Sequence, residues 1–98
     1  MKKLDASKIG ARIKATREEL GYTQKDIVEE LGFNKSTIQR YESGGIKKIK
    51  IPVIQAIAAT LNVNPEWLLY KSDKKESSFF LYFATEYSKS YHLERQSK

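Results

Sequence analysis

The amino-acid sequence predicts an all-α fold, with a compact five-helix domain followed by a separate aromatic segment. Apolar residues recur at the three- and four-residue spacing of helices through the first 70 residues. Glycines and capping residues interrupt that spacing at short intervals, which is typical of several short helices. The chain of 98 residues is long enough for one domain with a small core. We therefore assign residues 1–70 to one helical domain.

Five helices account for this domain. The first spans about residues 7–20, with Ile9 and Ile13 on one face. The other four begin at N-cap residues or at a proline suited to a first turn, namely Thr23, Asn34, Pro52 and Asn64. Asp26, three residues after Thr23, strengthens the start of the second helix. The glycines that end the first three helices are Gly21, Gly32 and Gly44.

The composition excludes several classes of protein. The chain has no cysteine and a single histidine, His92, so we expect no disulfide scaffold, thiolate zinc site or histidine-based catalytic triad. No apolar run approaches the roughly 18 residues of a membrane span. No nucleophile–base set or glycine-rich phosphate loop is present in the sequence. We therefore expect a cytoplasmic protein that is not an enzyme, takes no cofactor or metal, and does not enter a membrane.

The charge pattern indicates a polyanionic partner. Lys and Arg number 18 against 12 Asp and Glu, which gives a net charge of +6. Residues 18–32 hold five acidic residues and one basic residue, whereas residues 33–50 hold five basic residues and one acidic residue. A run of charge is usually only a solvated surface. Here the basic run coincides with a short, glycine-bounded helix, which favours nucleic acid as the partner.

The second and third helices have the spacing of a helix-turn-helix motif. Counted from Gln24, the fifth, ninth, fifteenth and eighteenth residues are Val28, Gly32, Ile38 and Tyr41. We expect a positive φ at Gly32 in the turn, where a β-carbon would cost energy. Val28 and Ile38 are expected to pack the two helices together. On spacing alone, an ordinary helical hairpin inside a bundle is an equal alternative.

Three stretches of the sequence resemble the Cro/C1-type (XRE-like) helix-turn-helix domain of phage and bacterial repressors. They are IGARIKATREELGYTQKDIVEELG, FNKSTIQRYESG and IPVIQAIAATLNVNPEWLL, all within residues 9–69. The resemblance implies a lambda-repressor-like fold and a transcriptional regulator that binds double-stranded DNA. Two features depart from the family pattern, because Val28 stands where alanine is usual and the loop over residues 45–51 is longer than usual.

The outward face of the third helix carries the candidates for reading bases. At 100° per residue, Ile38 and Tyr41 face inward, and the residues that point away are Ser36, Gln39, Arg40 and Ser43. Arginine can bond guanine at O6 and N7, and glutamine can pair with adenine. The resemblance gives base reading to the first, second and sixth helix positions, here Lys35, Ser36 and Arg40. We take as base-reading candidates Lys35, Ser36, Gln39 and Arg40, with a merely solvated helix face as the alternative.

A second set of side chains is suited to phosphate. Gln24 lies at the amino end of the second helix, where free N–H groups favour a phosphate, and the resemblance gives its matching residue a backbone-clamping role. The other candidates are hydroxyl and lysine side chains of the third helix and the loop after it, namely Thr37, Ser43, Lys47, Lys48 and Lys50. Such contacts position a protein on DNA without selecting a sequence. For the three lysines, a mobile charged loop is the alternative.

Arg17 and Glu42 are expected to be structural. Arg17 lies on the apolar face of the first helix, where a lone charge is costly, and Glu42 lies on the inward side of the third helix. We infer an ion pair that ties these two helices together. The resembling family has a matching pair in a structural role.

The C-terminal segment differs in composition from the helical domain. Residues 71–78 are polar and charged and are interpreted as a linker to residues 79–98. Residues 79–91 hold six of the eleven aromatic residues of the chain. On a helix, a single stripe is formed by Phe79, Phe83, Tyr87 and Tyr91, and Phe80 widens it. A strand over residues 79–83 is the alternative, because aromatic residues favour sheets.

Two functions are compatible with this pattern. The first is a repressor that binds a palindromic operator as a homodimer, with the aromatic stripe as the dimerisation device and half-sites about one turn (~34 Å) apart. The second is an antitoxin or another regulator in which residues 79–91 dock a different protein. Both place the same DNA-binding domain in residues 1–70, so only the aromatic segment distinguishes them.

Overall fold

The computed structural model describes residues 4–76. Within them the chain forms five helices and no strand. The helices are α1 (Ala6–Glu19), α2 (Gln24–Leu31), α3 (Lys35–Ser43), α4 (Ile51–Leu61) and α5 (Pro65–Leu68). The predicted all-α, five-helix architecture is therefore confirmed. None of the helices within these residues combines the length and the apolar composition needed to span a membrane.

Local hydrogen bonds explain where the helices begin. Thr23 and Asp26 form a capping box before α2, in which the Asp26 backbone N–H donates to Thr23 Oγ1 (3.1 Å) and the Thr23 backbone N–H donates to Asp26 Oδ2 (2.8 Å). Asn64 caps α5 by accepting from the backbone N–H of Glu66 (3.0 Å). Asn34 occupies the predicted N-cap position of α3, but its side chain makes no capping hydrogen bond. The start of α3 therefore depends on packing more than on its cap.

The turn between α2 and α3 has the backbone conformation that the sequence predicts. Gly32 ends α2 with φ of 72°, in the left-handed region that glycine adopts without a steric cost. The fully buried residue of α2 is Ile27, while Val28 is half-buried against the same core. Val28 therefore packs against the core, as its motif position predicts, but is less completely buried than Ile27.

One apolar core joins all five helices. Its fully enclosed side chains are those of Ile9, Ile38, Ile54, Ile57, Leu61 and Leu68. The helix α1 packs on α3 at a point where Gly10 meets the backbone of Tyr41 and Glu42. A β-carbon at Gly10 would lie 2.6 Å from the carbonyl oxygen of Glu42, so only glycine allows this approach. The orientation of α3 is thus fixed from behind by α1.

The residues after α5 return to the helical domain. The Asn64 backbone N–H donates to the carbonyl oxygen of Lys75 (2.7 Å), and Asn64 Nδ2 donates to that of Lys74 (3.1 Å). Lys75 Nζ lies 3.1 Å from Glu19 Oε1. Within the segment interpreted as a linker, Lys74 and Lys75 therefore contact the capping residue of α5, and Lys75 also contacts α1. The predicted aromatic stripe at residues 79–91 lies outside the described residues.

The rings of Tyr70 and Trp67 both pack against the guanidinium group of Arg12. The guanidinium carbon of Arg12 lies 3.7 Å from the ring centroid of Tyr70 and 4.3 Å from that of Trp67. Arg12 Nη1 also donates to the carbonyl oxygen of Trp67 (2.6 Å). These contacts attach the end of α5 to α1, at distances typical of cation–π pairs.

Candidate nucleic-acid interface

The helix α3 presents one buried face and one exposed face. Ile38 and Tyr41 are buried, at 1% and 3% exposure. The four predicted base-reading side chains are all exposed, namely Lys35, Ser36, Gln39 and Arg40. Because the helix is anchored by its buried face, the backbone positions from which these side chains project are fixed. An exposed polar face of this kind can enter the major groove of DNA.

A groove of about 460 Å³ lies between α3 and the loop that follows it. We call it the basic groove. It is lined by Thr37, Arg40, Tyr41, Gly45, Ile46, Lys47, Lys48, Lys50 and Val53. Four of these residues are cationic and none is acidic. The structure thus brings the predicted base-reading Arg40 together with four of the predicted phosphate-binding residues.

The other predicted phosphate-binding residues lie apart from the basic groove. Gln24 is half-buried at the first position of α2, and its Nε2 donates to Glu42 Oε1 (3.0 Å). Ser43 is exposed at the end of α3, where its Oγ donates to the carbonyl oxygen of Arg40 (3.2 Å). Among the base-reading candidates, Arg40 lines the groove, whereas Lys35, Ser36 and Gln39 occupy the exposed face beside it.

Arg17 and Glu42 lie in contact behind the exposed face of α3. Arg17 Nε lies 2.6 Å from Glu42 Oε2, and Arg17 Nη2 lies 3.0 Å from Glu42 Oε1, so the pair is bidentate. The side chains are only 10% and 3% exposed. The hydrogen bonds that Arg17 donates to Glu42 raise the pKa of Arg17, and the negative charges of Glu42 and Glu18 act in the same direction, against the burial that lowers it. The arginine therefore stays charged and neutralises the carboxylate.

A second groove, of about 490 Å³, lies between α2 and α4. We call it the acidic groove. It is lined by Tyr22, Asp26, Ile27, Glu30, Ala59, Thr60 and Asn62. Two of these residues are acidic and none is basic, so its charge is opposite to that of the basic groove.

Residues 10–74 match the family model described as a helix-turn-helix domain. The chain belongs to this helix-turn-helix family. The predicted resemblance to repressors of this type is thereby confirmed at the level of the family.

Solved structures of similar proteins extend the comparison. The master regulator for biofilm formation SinR, solved in complex with DNA, is 33% identical to this chain over 62% of it and 97% of the solved SinR chain, with a TM-score of 0.58. The N-terminal DNA-binding domain of SinR from Bacillus subtilis has the same identity and TM-score and is covered over 88% of its length. The restriction-modification controller protein C.AhdI from Aeromonas hydrophila is 25% identical over 65% of this chain and 96% of its own, with a TM-score of 0.60.

A structure of a SinR–SinI protein complex matches 92% of this chain and 99% of its own chain, with a TM-score of 0.60. At 24% identity, this match shows a shared fold alone. The structures similar to this helix-turn-helix chain thus include one holding DNA and one holding a second protein.

The structure adds residues to the helix-turn-helix site that the sequence alone did not indicate. Tyr41, expected only in the core, accepts a hydrogen bond at its phenolic oxygen from the Lys50 backbone N–H (3.3 Å). This bond fixes the far end of the lysine loop to α3. Ile46 and Val53 form apolar parts of the basic groove wall. The sequence carried one signal for the contact between Tyr41 and Lys50, namely a tyrosine at a helix position that is otherwise apolar. A buried phenol generally needs a hydrogen-bond partner.

Proposed function

We propose that this protein is a sequence-specific, double-stranded-DNA-binding transcriptional regulator that inserts α3 into the major groove. The observation that carries the proposal is the basic groove, which places four cationic side chains beside the exposed polar face of α3. Phosphate contacts by such side chains supply much of the affinity of proteins for DNA. The DNA held by SinR, a protein of the same fold and 33% identity, supports the same ligand class.

The proposal divides the side chains by role. Base edges are read from the exposed face of α3 by Lys35, Ser36, Gln39 and Arg40. Phosphates are bound by Gln24, Thr37, Ser43, Lys47, Lys48 and Lys50. Arg40 lies at the boundary, because it projects from α3 and also lines the basic groove. This arrangement suits a helix lying in the groove while the loop beside it follows one strand of the backbone.

The finer proposal is a homodimeric repressor. A dimer places one α3 in each of two major-groove segments about one turn (~34 Å) apart, and the operator is then palindromic. Residues 79–91 supply the dimer contact, since an aromatic stripe in water is costly unless a second apolar surface covers it. Repression follows if the bound dimer excludes polymerase from a promoter.

Selection from a random DNA pool tests this function directly. The full chain should enrich one sequence with two inverted half-sites. A Lys35→Ala, Arg40→Ala variant that keeps its helical circular dichroism should lose the enrichment, because both changes lie on the exposed face of α3. A matched Lys14→Ala, Lys71→Ala variant removes the same charge from exposed positions outside the basic groove and should enrich the same sequence. Absence of any enrichment by the parent protein would overturn the proposal.

A second candidate function is docking of a different protein through residues 79–91. The concentration of aromatic residues in this segment favours it, and SinR has been solved in a complex with a second protein. Sedimentation of the full chain and of a Phe79→Ser, Phe83→Ser variant separates the two candidates. Conversion of a dimer to a monomer, with the helical signal intact, supports self-association. A parent chain that is monomeric at tens of micromolar supports docking of another protein instead.

A further inference from the structure

One carboxylate group connects three helices beside the proposed DNA surface. Glu42 on α3 receives both side-chain bonds from Arg17 on α1, and its Oε1 also accepts from Gln24 Nε2 on α2 (3.0 Å). Arg17 Nη1 additionally donates to the carbonyl oxygen of Tyr22 (2.8 Å), two residues before α2. The ion pair thus contacts both the first residue of α2 and the turn that precedes this helix.

The bond between Gln24 and Glu42 is not needed to neutralise the carboxylate. Arg17 already compensates the charge of Glu42 through two short hydrogen bonds. The side chain of Glu42 is only 3% exposed, whereas Gln24 is half-buried and reaches solvent. The hydrogen bond from Gln24 to Glu42 therefore fixes the orientation of the Gln24 amide.

The chemistry of the acceptor decides that orientation. An ionised carboxylate only accepts hydrogen bonds, so the Gln24 amide must turn its nitrogen, and not its oxygen, toward Glu42. A primary amide carries two N–H donors, and this contact uses one of them. The second stays on the same fixed nitrogen, ready to donate to an anionic oxygen. An unheld glutamine could instead present its carbonyl oxygen, which a phosphate repels.

We propose that Glu42, held by Arg17, is a positioning residue that sets the Gln24 amide as a phosphate donor. This inference rests on the proposed DNA-binding function. The ion pair then has two roles, one in the stability of the fold and one in the affinity for DNA. The two are separable, because the Glu42 carboxylate orients the Gln24 amide whatever the stability of the fold.

A mutant cycle on the selected DNA tests the inference. The variants are Gln24→Ala, the pair Arg17→Met with Glu42→Leu, and all three changes together, each compared by fluorescence anisotropy at one salt concentration. In the parent background, Gln24→Ala should weaken binding about tenfold, as expected for loss of a hydrogen bond to a charged group. In the Arg17→Met, Glu42→Leu background the same change should weaken binding less than about threefold, because the amide is no longer held. Equal losses in the two backgrounds would overturn the inference.

Two controls separate positioning from structure. Gln55 is an exposed glutamine on α4 that lines neither groove, so Gln55→Ala should leave the affinity unchanged in both backgrounds. A thermal melt of each variant shows whether it is folded at the assay temperature. If the Arg17→Met, Glu42→Leu variant does not fold, Glu42→Gln with Arg17 kept serves as the background instead. A glutamine at position 42 carries N–H donors as well as an acceptor, so it no longer requires the Gln24 amide to turn its nitrogen inward. The Gln24→Ala loss should again shrink, and an unchanged tenfold loss counts against the inference.

A measurement without DNA distinguishes failure of this inference from failure of the proposed function. In ¹⁵N NMR spectra of the free protein, the side-chain amide protons of Gln24 should exchange with water more slowly than those of Gln55. Glu42→Gln should speed the Gln24 exchange and leave that of Gln55 unchanged. If the Gln24 amide protons exchange slowly but the protein enriches no DNA sequence, the proposed function is contradicted and the Gln24–Glu42 bond is still supported. Equal exchange of the two glutamines overturns the positioning role even if DNA binds.

Discussion

The basic groove and the acidic groove are nearly equal in volume, at about 460 and about 490 Å³, yet differ in charge and in what lies beside them. The basic groove adjoins the exposed face of α3, whose position α1 fixes through Gly10 and the Arg17–Glu42 pair. The acidic groove lies between α2 and α4, next to the Thr23–Asp26 capping box at the start of α2. Cavity size therefore does not identify the functional surface. The proposed DNA-binding surface is instead distinguished by its positive charge beside the exposed polar face of α3.

The largest expected effect comes from breaking the support behind the basic groove. Arg17→Met leaves the carboxylate of Glu42 buried and unpaired, which should lower the free energy of unfolding by about 3–5 kcal/mol. Adding Glu42→Leu removes the unpaired charge and should recover much of that loss. Thermal and urea melts of the two single variants, the double variant and the parent measure the effect. Strictly additive losses would contradict the mutual compensation of the two charges.

A smaller effect is expected on the groove itself. Arg40→Ala should cost about 1–3 kcal/mol of binding free energy on the selected DNA and relax the preference at one base position. Glu30→Ala, in the acidic groove, is the control and should change neither the affinity for the selected DNA nor the sequence preference. Binding titrations against a set of single-base variants of the selected site measure both quantities. Unchanged affinities for selected and random DNA after Arg40→Ala would show that Arg40 reads no base.

Loss of the loop lysines should weaken binding without changing its selectivity. Lys47→Ala with Lys48→Ala should reduce affinity for all DNA sequences alike and flatten the salt dependence by about 0.9 per lost phosphate contact. The exposed pair Lys14→Ala with Lys71→Ala removes the same charge away from the groove and should leave the slope unchanged. Titrations at several salt concentrations test this. A slope equal to that of the parent would mean that the loop points away from the duplex.

The smallest effect is the pH dependence of stability at the Thr23–Asp26 capping box, beside the acidic groove. The hydrogen bonds from the Thr23 backbone and side chain lower the pKa of Asp26. A lowered pKa in the folded state means that the ionised cap stabilises the fold above the unfolded pKa of about 3.9. That contribution is lost as the pH falls through the folded-state pKa. Asp26→Asn should therefore lower the melting temperature slightly at pH 7, and the difference from the parent should vanish at strongly acid pH. A difference that persists there would contradict an electrostatic cap.

Much of the fold could be predicted because its signals are local. Helix spacing, the Thr23–Asp26 capping box and the glycine turn at Gly32 each involve residues within a few positions of one another. The contact between Arg17 and Glu42 was also predictable, since each charge lies on an otherwise apolar face and has to be neutralised. Asn34 shows the limit of such signals, because a capping residue at the right position need not form the capping bond.

The rest of the site depends on contacts between distant parts of the chain. The approach of α1 to α3 at Gly10 leaves no periodic trace in the sequence. The bond from Lys50 to Tyr41, and the inclusion of Ile46 and Val53 in the basic groove, follow from the path of an irregular loop. The return of Lys74 and Lys75 to Asn64 is made through their backbone carbonyl oxygens, which every residue carries. Residue types alone therefore suggest which side chains are candidates for phosphate contacts but not how they are assembled.

The most direct test of the DNA-binding side is a map of backbone amide shifts in ¹⁵N NMR spectra as the selected DNA is added. We expect the largest shifts along α3 and the loop after it, over residues 35–50, and at Gln24. The residues that line the acidic groove at the end of α4 and just after it, namely Ala59, Thr60 and Asn62, should shift little. Large shifts at those residues with none along α3 would contradict the assignment of the basic groove as the nucleic-acid surface.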